Sequence, residues 1–218
     1  MQTHILNSQS SILNRFIAEL RDKSIQVDSM RFRRNLERIG EVFAYEISKT
    51  MAFDVKNVVT PLGIAAEKIP DESVVVASVL RAGIPLHNGV LNFFDRAENA
   101  FISAYRKYTI ENEFDIHIEY ISSPDLNDKT LLLCDPMLAS GSSIEMVYNA
   151  LKSKGSPRKV HVISVIASQA GLQFIQDALK NEPVELWIGA VDEELNARSY
   201  IIPGLGDAGD LAYGKKTD

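Results

Sequence analysis

The clearest chemical signal is an apolar run that ends in an acid and leads into small residues. Thr130–Cys134 is followed by Asp135, then by a short stretch of small and apolar residues and a cluster of serines. Small residues let backbone N–H groups approach a phosphate, and a helix that begins there adds a partial positive charge. Asp135 is placed to accept hydrogen bonds from ribose hydroxyls, which favours a phosphosugar site. The alternative is a plain turn in which Ser142 or Ser143 only caps the next helix.

Two arginines stand near the ends of other predicted strands. Arg81 follows the valine-rich run of residues 73–80, and Arg106 lies near the end of residues 100–108. A guanidinium group at such a position can clamp an anion. The carboxyl ends of parallel strands meet at one edge of a sheet, so both arginines could face the same crevice. Each arginine taken alone could equally be a solvated surface charge.

The third signal is a glycine-rich loop near the C-terminus. Residues 200–210 read YIIPGLGDAGD, with three glycines and an alanine among seven consecutive residues. A loop with so much exposed backbone can recognise a flat heterocycle through main-chain N–H and C=O groups. Its aspartates could orient water or a metal ion. The alternative is a flexible turn, and the aspartate spacing of a Ca²⁺ loop is missing.

Alternating strands and helices are predicted to position these loops. The N-terminal quarter is predicted to be helical, with Asp28 capping a second helix. Residues 55–62 are predicted as a short strand and loop. From residue 73 onward, buried strands alternate with helices, which is typical of a parallel α/β sheet in a single domain, residues 1–218. The predicted strands are residues 73–80, 100–108, 130–134, 159–167 and 184–189, and the helices are 84–94, 143–154 and 169–180.

One segment departs from that alternation. Residues 114–120 alternate apolar and polar side chains, which predicts a strand with one wet face. With the turn at Glu111, Asn112 and Glu113, this strand would form a hairpin with residues 100–108. Such a hairpin could be an arm that packs on a partner subunit or an edge hairpin of the monomer.

Composition and charge exclude several functions. The 218 residues carry a net charge of −6 and a single cysteine, Cys134, which argues against a nucleic-acid binder and excludes an intramolecular disulfide. No apolar run approaches the roughly 20 residues of a membrane helix. The N-terminus does not resemble a secretory signal, so a cytoplasmic location is expected. His4, His87, His117 and His161 are far apart and lack helical metal-ligand spacing.

Taken together, the three loops resemble the uracil phosphoribosyltransferase family, a branch of the type I phosphoribosyltransferases. The similarity extends over most of the chain, from about residue 30 to residue 214. Its most specific motifs are DPMLA, which begins at Asp135, and PGLGDAGD, which begins at Pro203. The other matching segments are LRAG at residues 80–83 and YR at residues 105–106.

The resemblance implies a reaction, a fold and an assembly. The expected reaction is transfer of 5-phosphoribosyl from phosphoribosyl pyrophosphate (PRPP) to uracil, giving UMP and diphosphate. Mg²⁺ is the expected cofactor, bound through the substrate diphosphate rather than by a defined protein ligand. The expected fold is α/β, a Rossmann-like parallel-sheet core with a helical N-terminal part and a protruding β-hairpin arm. A homodimer or higher homo-oligomer is expected, with no nucleic-acid or membrane partner.

The resemblance also implies residue roles, with Asp135 and Asp207 as the catalytic residues. The positions expected to read uracil, mostly through the backbone, are Ile201, Gly206, Asp207 and Ala208. The positions expected to bind PRPP are Arg81, Arg106, Asp207 and the loop formed by Asp135, Pro136, Met137, Leu138, Ala139, Ser140, Gly141, Ser142 and Ser143.

A few positions depart from the family pattern and leave other functions open. Pro85 and Ser142 stand where the family usually has glycine, and Lys107 where it tends to have an acid. One alternative is the same transfer to another base. Another is a non-catalytic nucleotide sensor that controls genes through RNA, although the acidic balance argues against RNA binding. A structural subunit is a third alternative, for which three intact loops would be unnecessary.

Overall fold

The computed structural model describes residues 1–70, 73–108 and 114–217, without the side chains of residues 104–108 and 114–117. The strands are β1 (Gln2–Ile5), β2 (Phe53–Thr60), β3 (Gly63–Pro70), β4 (Val74–Leu80), β5 (Glu98–Tyr108), β6 (Phe114–Ser122), β7 (Thr130–Cys134), β8 (Met137–Leu138), β9 (Lys159–Ser168), β10 (Val184–Asp192), β11 (Glu194–Leu195) and β12 (Ile201–Ile202). The α-helices are α1 (Ile12–Arg21), α2 (Ser29–Ser48), α3 (Ile84–Leu91), α4 (Ser142–Leu151), α5 (Gln169–Ala178) and α6 (Ala208–Tyr213).

The central sheet has the order β1-β10-β9-β7-β4-β5-β6, and β8 also pairs with β9. All neighbours in this order are parallel except β6, which runs antiparallel to β5. The predicted α/β class is therefore confirmed. The carboxyl ends of β4, β7, β9 and β10 face one edge, and the candidate loops leave from that edge.

The central strands are mostly apolar because helices cover both faces of the sheet. In β7, Leu132 and Cys134 join a core cluster with α1 and α2, whereas Leu131 and Leu133 join a second cluster with α4 and α5. Successive side chains of a strand point to opposite faces, which explains the two clusters. The site therefore stands on strands that are fixed by packing from both sides.

The N-terminal helices form as the sequence predicts. The carboxylate of Asp28 accepts hydrogen bonds from the N–H groups of Met30 and Arg31, so it caps α2. The apolar stripe of α2 is fully buried (Leu36, Ile39, Phe43 and Ile47). In α1, Leu13, Ile17 and Leu20 are buried. Phe16 is partly buried, and Ile12 in the first helical turn is 59% exposed.

The hairpin of residues 53–70 is longer than the predicted short strand and loop. β2 and β3 pair antiparallel from Phe53↔Pro70 to Thr60↔Gly63 and form a sheet of their own. Most of their side chains are exposed, so the sequence carries no pattern of one buried face. β1 was missed for a related reason, because it is a short edge strand with polar residues such as Gln2 and Thr3.

The predicted pairing of the second hairpin is confirmed. β5 and β6 pair antiparallel from Phe101↔Ser122 to Tyr108↔Phe114, with an irregularity between Ser103 and Ala104. Within the described part of the chain, β6 is the edge strand of the central sheet, a position that the partner arm and the edge hairpin share. The predicted turn at residues 111–113 lies outside the described residues. No helix among the described residues is long and apolar enough to cross a bilayer.

Candidate functional site

The loop after β7 is fixed to the neighbouring strand at the carboxyl edge of the sheet. The N–H of Asp135 donates to the carbonyl of Ile163 in β9 at 3.1 Å. The carbonyl of Pro136 accepts two further N–H groups of β9 at 3.0 Å. The Asp135 carboxylate accepts weakly from the N–H of Met137 at 3.4 Å. A carboxylate is thus held at the strand end, as the sequence predicts.

Helix α4 begins directly after Gly141, which has a φ of +87°. A Cβ atom there would lie 2.7 Å from a ring carbon of Phe174 and 3.0 Å from the carbonyl oxygen of Gly171. In the described part of the chain, no side chain caps the N-terminus of α4, so the simple serine cap is wrong. The hydroxyls of Ser140 and Ser142 instead lie 2.8 Å apart. The first N–H groups of α4 and these hydroxyls are the donors that a phosphate requires.

Helix α5 holds the same loop from its other side. The hydroxyl of Ser168, which caps α5, accepts from the N–H of Gly171 at 2.8 Å. It also donates to the carbonyl of Ala139 at 2.5 Å. A Cβ on Gly171 would lie 2.1 Å from that carbonyl oxygen, so only glycine fits. Ser168 thus both caps the helix and positions the loop.

Arg81 reaches the C-terminal loop. Its guanidinium donates to Asp210 Oδ1 at 3.4 Å and to the carbonyl of Gly214 at 3.3 Å. The side chain is 40% exposed, so it remains accessible to a ligand. Gly83 stands just behind it, where a Cβ would lie 2.7 Å from Ser78 Oγ and from two backbone oxygens. The structure therefore brings together two of the three loops predicted from sequence.

Arg106 lies near the end of β5, and its backbone pairs with Ile116. Its side chain lies outside the described residues, as does that of Lys107. The expected convergence of Arg106 and Arg81 on one anion thus stays a prediction.

The glycine-rich loop has an ordered start and end. Ile201 is buried and pairs with Leu195, while Gly206 is exposed and has a φ of +94°. Asp207 caps α6 by accepting the N–H of Asp210 at 2.9 Å. Its other carboxylate oxygen lies 3.5 Å from the hydroxyl of Tyr200. Both ends of the loop are tied to secondary structure, which argues against the flexible-turn alternative.

Residues from other elements hold the middle of this loop, and sequence reasoning missed them. Arg21 of α1 and Asp192 of β10 both bond the peptide groups of Gly204. The side-chain amide of Gln26 donates to the carbonyl of Leu205 at 3.1 Å. The only sequence signal was indirect, since Asp192 ends an apolar strand three residues beyond its predicted end.

Two departures from the family pattern have simple local consequences. Pro85 lies in the first turn of α3, where the missing N–H would have no partner in the helix. Ser142 contributes one hydroxyl to the pair with Ser140. Neither change distorts the elements that carry the loops.

Cys134 and the histidines are not assigned a chemical role in the candidate loops. Burial, reinforced by the charge of Asp135, raises the pKa of the Cys134 thiol far above its usual value, as expected of a core residue. His4 and His161 are not far apart, since both contact Glu185, and His4 stacks on Trp187 at 3.9 Å. Burial lowers the pKa of His161 to about 4, so it stays neutral at pH 7.

Comparisons with known proteins give results that agree with one another. The family model described as "Uracil phosphoribosyltransferase" matches residues 7–215. A protein of that name from Porphyromonas gingivalis is 55% identical, over 99% of this chain and 100% of its own length. One from Methanothermobacter thermautotrophicus is 39% identical, over 88% of this chain and 87% of its own. A solved structure from Aquifex aeolicus superposes with a TM-score of 0.87 at 30% identity and covers 100% of both chains.

Proposed function

Because the chain belongs to the uracil phosphoribosyltransferase family, we propose that it transfers the 5-phosphoribosyl group of PRPP to N1 of uracil, giving UMP and diphosphate. The observation that carries this proposal is the contact between two of the candidate loops at the sheet edge from which the third loop also leaves. The contact of Arg81 with Asp210 joins the anion-binding loop to the glycine-rich loop. The loop after β7 leaves from the strand beside β4, so its acid and helix N-terminus would lie next to the Arg81 loop.

The 5-phosphate and ribose of PRPP are assigned to the loop after β7. The N–H groups at the start of α4 and the hydroxyls of Ser140, Ser142 and Ser143 would bind the phosphate. The Asp135 carboxylate would accept hydrogen bonds from the ribose hydroxyls. Gly141 keeps backbone close to the phosphate, because any side chain there meets α5.

The diphosphate is assigned to Arg81, Arg106 and Asp207. A guanidinium group binds phosphate oxygens through two parallel N–H donors. Among the described residues, Arg81 makes long contacts of 3.4 and 3.3 Å, which it can exchange for shorter ones to a diphosphate. The arginines would then stabilise the charge that develops on the leaving group.

The donor set fits a Mg²⁺ ion that is held mainly by substrate oxygens. Mg²⁺ usually keeps several waters and binds through one or two carboxylates plus substrate phosphates. Asp207 and Asp210 supply carboxylates beside Arg81, and the described residues contain no group of three or more His, Cys, Asp or Glu that would form a protein cage. When bound, Mg²⁺ would neutralise the leaving diphosphate. Asp207 would help to position both the Mg²⁺ ion and the diphosphate.

Uracil is assigned to the backbone of Ile201, Gly206, Asp207 and Ala208. During the reaction the bond from C1 of ribose to diphosphate oxygen breaks, the bond from C1 to N1 of uracil forms, and the N1 proton leaves with the diphosphate. The ribose passes through an oxocarbenium-like state, and the fixed positions of base and sugar supply much of the barrier reduction. Asp135 and Asp207 are the side chains proposed to contact the reacting molecules.

Assembly and location complete the proposal. We propose a homodimer, supported by the exposed apolar side chains of the β2–β3 hairpin, among them Val59 at 82% and Leu62 at 101% exposure. A two-stranded hairpin is only marginally stable alone, so packing on a second copy would stabilise it. We also propose a cytoplasmic location, since the chain has one cysteine and its thiol is buried.

An assay of four bases tests the proposed reaction. The protein is incubated with PRPP and Mg²⁺ and with uracil, hypoxanthine, guanine or adenine, and nucleotide products are separated by chromatography. We expect UMP and no purine nucleotide. A purine nucleotide would favour transfer to another base. Absence of every product would favour a sensor or a structural subunit and refute the proposal.

A further inference from the structure

An ion pair beside the glycine-rich loop bonds both backbone groups of one loop residue, Gly204. Arg21, the last residue of α1, donates two hydrogen bonds of 2.7 Å to the carboxylate of Asp192, the last residue of β10. Arg21 Nη1, which bonds Asp192 Oδ2, also donates to the carbonyl of Gly204 at 3.0 Å. Asp192 Oδ2 accepts the N–H of Gly204 at 2.9 Å. Both polar backbone groups of Gly204 are therefore bonded to the pair.

Burial and hydrogen bonds restrict the conformation of this ion pair and of Gly204. Asp192 is 7% exposed, and Gly204 is buried. Burial raises the pKa of the Asp192 carboxyl, but hydrogen bonds from Arg21 and Gly204 outweigh that effect and the pKa lies below its usual value. Gly204 has a φ of +56°, and a Cβ there would lie 2.2 Å from the carbonyl oxygen of Ile201. The loop thus has one tightly defined conformation at this point.

The pair is connected through the chain to the proposed base-reading groups. Gly204 stands between Ile201 and Gly206, and Leu205 is buried and bonded to Gln26. A peptide fixed two residues before Gly206 limits the directions that the following N–H groups can take. Backbone recognition depends on those directions, because no side chain can adjust to the base.

We propose that Arg21 and Asp192 are positioning residues that set the affinity and selectivity for the base, although neither is assigned a contact with it. The inference rests on the proposed function, since it names a determinant of the same site. Apart from Asp207, the residues assigned to PRPP lie elsewhere: directly after β4, in β5, and from the end of β7 to the start of α4. Loss of the pair should therefore weaken uracil binding much more than PRPP binding.

The test compares steady-state kinetics of the full chain with those of three variants. Asp192→Asn keeps the shape but removes the charge and one acceptor, and we expect the KM for uracil to rise about tenfold or more. The KM for PRPP and kcat should stay within about twofold of wild type. Arg21→Lys keeps the charge but not the two-pronged geometry, so its KM for uracil should rise less than that of Asp192→Asn.

Glu19→Gln is the matched control. Glu19 lies on the same helix and bonds Asn35 and Arg31 of α2, and neither contact involves the loop. Its KM for uracil should equal that of wild type even if the melting temperature falls. Unchanged uracil KM in folded Asp192→Asn and Arg21→Lys would overturn the inference, as would equal rises in both KM values. If Asp192→Asn does not fold, Arg21→Lys decides the inference by the same criteria. A wild-type chain that forms no UMP would refute the proposed function itself.

Discussion

Individual residues of the site act either through a side chain or through the backbone conformation that they allow. Asp135 offers a carboxylate at a strand end, and its own backbone is already bonded to β9. Gly206 offers no side chain, and its φ of +94° lies in the region that other residues rarely adopt. Substitutions at these two positions therefore separate sugar recognition from base recognition.

Asp135→Asn should lower turnover without unfolding the protein. The amide keeps the size of the side chain but loses the negative charge that accepts hydrogen bonds from ribose hydroxyls. Hydrogen bonds to a charged group contribute about 1.5–3 kcal/mol, so kcat/KM should fall roughly 10- to 100-fold. Steady-state kinetics with thermal unfolding as the folding control would measure this. Unchanged kinetics would mean that Asp135 only supports the turn.

Gly206→Val should weaken uracil binding although no side-chain contact is removed. The site has room, since the nearest atom to a new Cβ is Leu211 Cδ1 at 3.8 Å, so the effect arises from the backbone. A β-branched residue in this conformation costs about 1–3 kcal/mol, and the KM for uracil should rise about tenfold. Gly63→Val is the control, because no atom outside its immediate chain neighbours lies within 4 Å of a new Cβ there. Normal uracil affinity in Gly206→Val would show that the base is read elsewhere.

For single residues, sequence reasoning could find those whose side-chain type indicates their chemistry. Asp135 and Arg81 stand in recognisable motifs at strand ends, so their neighbourhood was predictable. Arg21 and Asp192 are 171 residues apart, and only the folded chain shows that they meet at Gly204. A lone arginine at a helix end carries no sequence signal for such a contact.

Secondary-structure elements supply the rigid frame for the loops. Strands β4, β7 and β9 were predictable because burial on both faces gives continuous apolar runs. The β2–β3 hairpin and the short edge strand β1 were not, because neither shows a buried face in its sequence pattern. The strands that lead into Arg81 and the loop after β7 belong to the first group, whereas the short β12 and α6 of the glycine-rich loop were not predicted.

Because α5 contacts the start of α4, a substitution of Gly141 is expected to raise the KM for PRPP. Gly141→Ala places a Cβ 2.7 Å from the Phe174 ring and 3.0 Å from a backbone oxygen, at a φ of +87°. The left-handed conformation alone costs roughly 1–2 kcal/mol, so the KM for PRPP should rise about tenfold. The KM for uracil in the same variant is the internal control. A larger rise for uracil than for PRPP would contradict the assignment of this loop to the phosphate.

The whole molecule is proposed to work as a homodimer, which predicts a mass of at least twice 24.2 kDa by light scattering at micromolar concentration. Val59 and Ile64 are paired across the β2–β3 hairpin and both are exposed. Replacing both with lysine should dissociate the dimer by placing like charges at the interface. Val27→Lys, at another exposed apolar position, should leave the dimer intact. A wild-type mass of 24.2 kDa would contradict the dimer, and a stable dimer of the double variant would contradict the role of the hairpin.

The central claim is that the chain makes UMP and reads uracil with fixed backbone groups. Uracil presents an acceptor, a donor and an acceptor at O2, N3–H and O4, whereas cytosine has a bare acceptor at N3 and an amino donor at position 4. Two mismatched groups would cost about 1–3 kcal/mol each. The most direct test is therefore kcat/KM for uracil and for cytosine with PRPP and Mg²⁺. The account predicts UMP formation with a preference for uracil of at least about 100-fold. Equal use of the two bases, or no UMP at all, would contradict it.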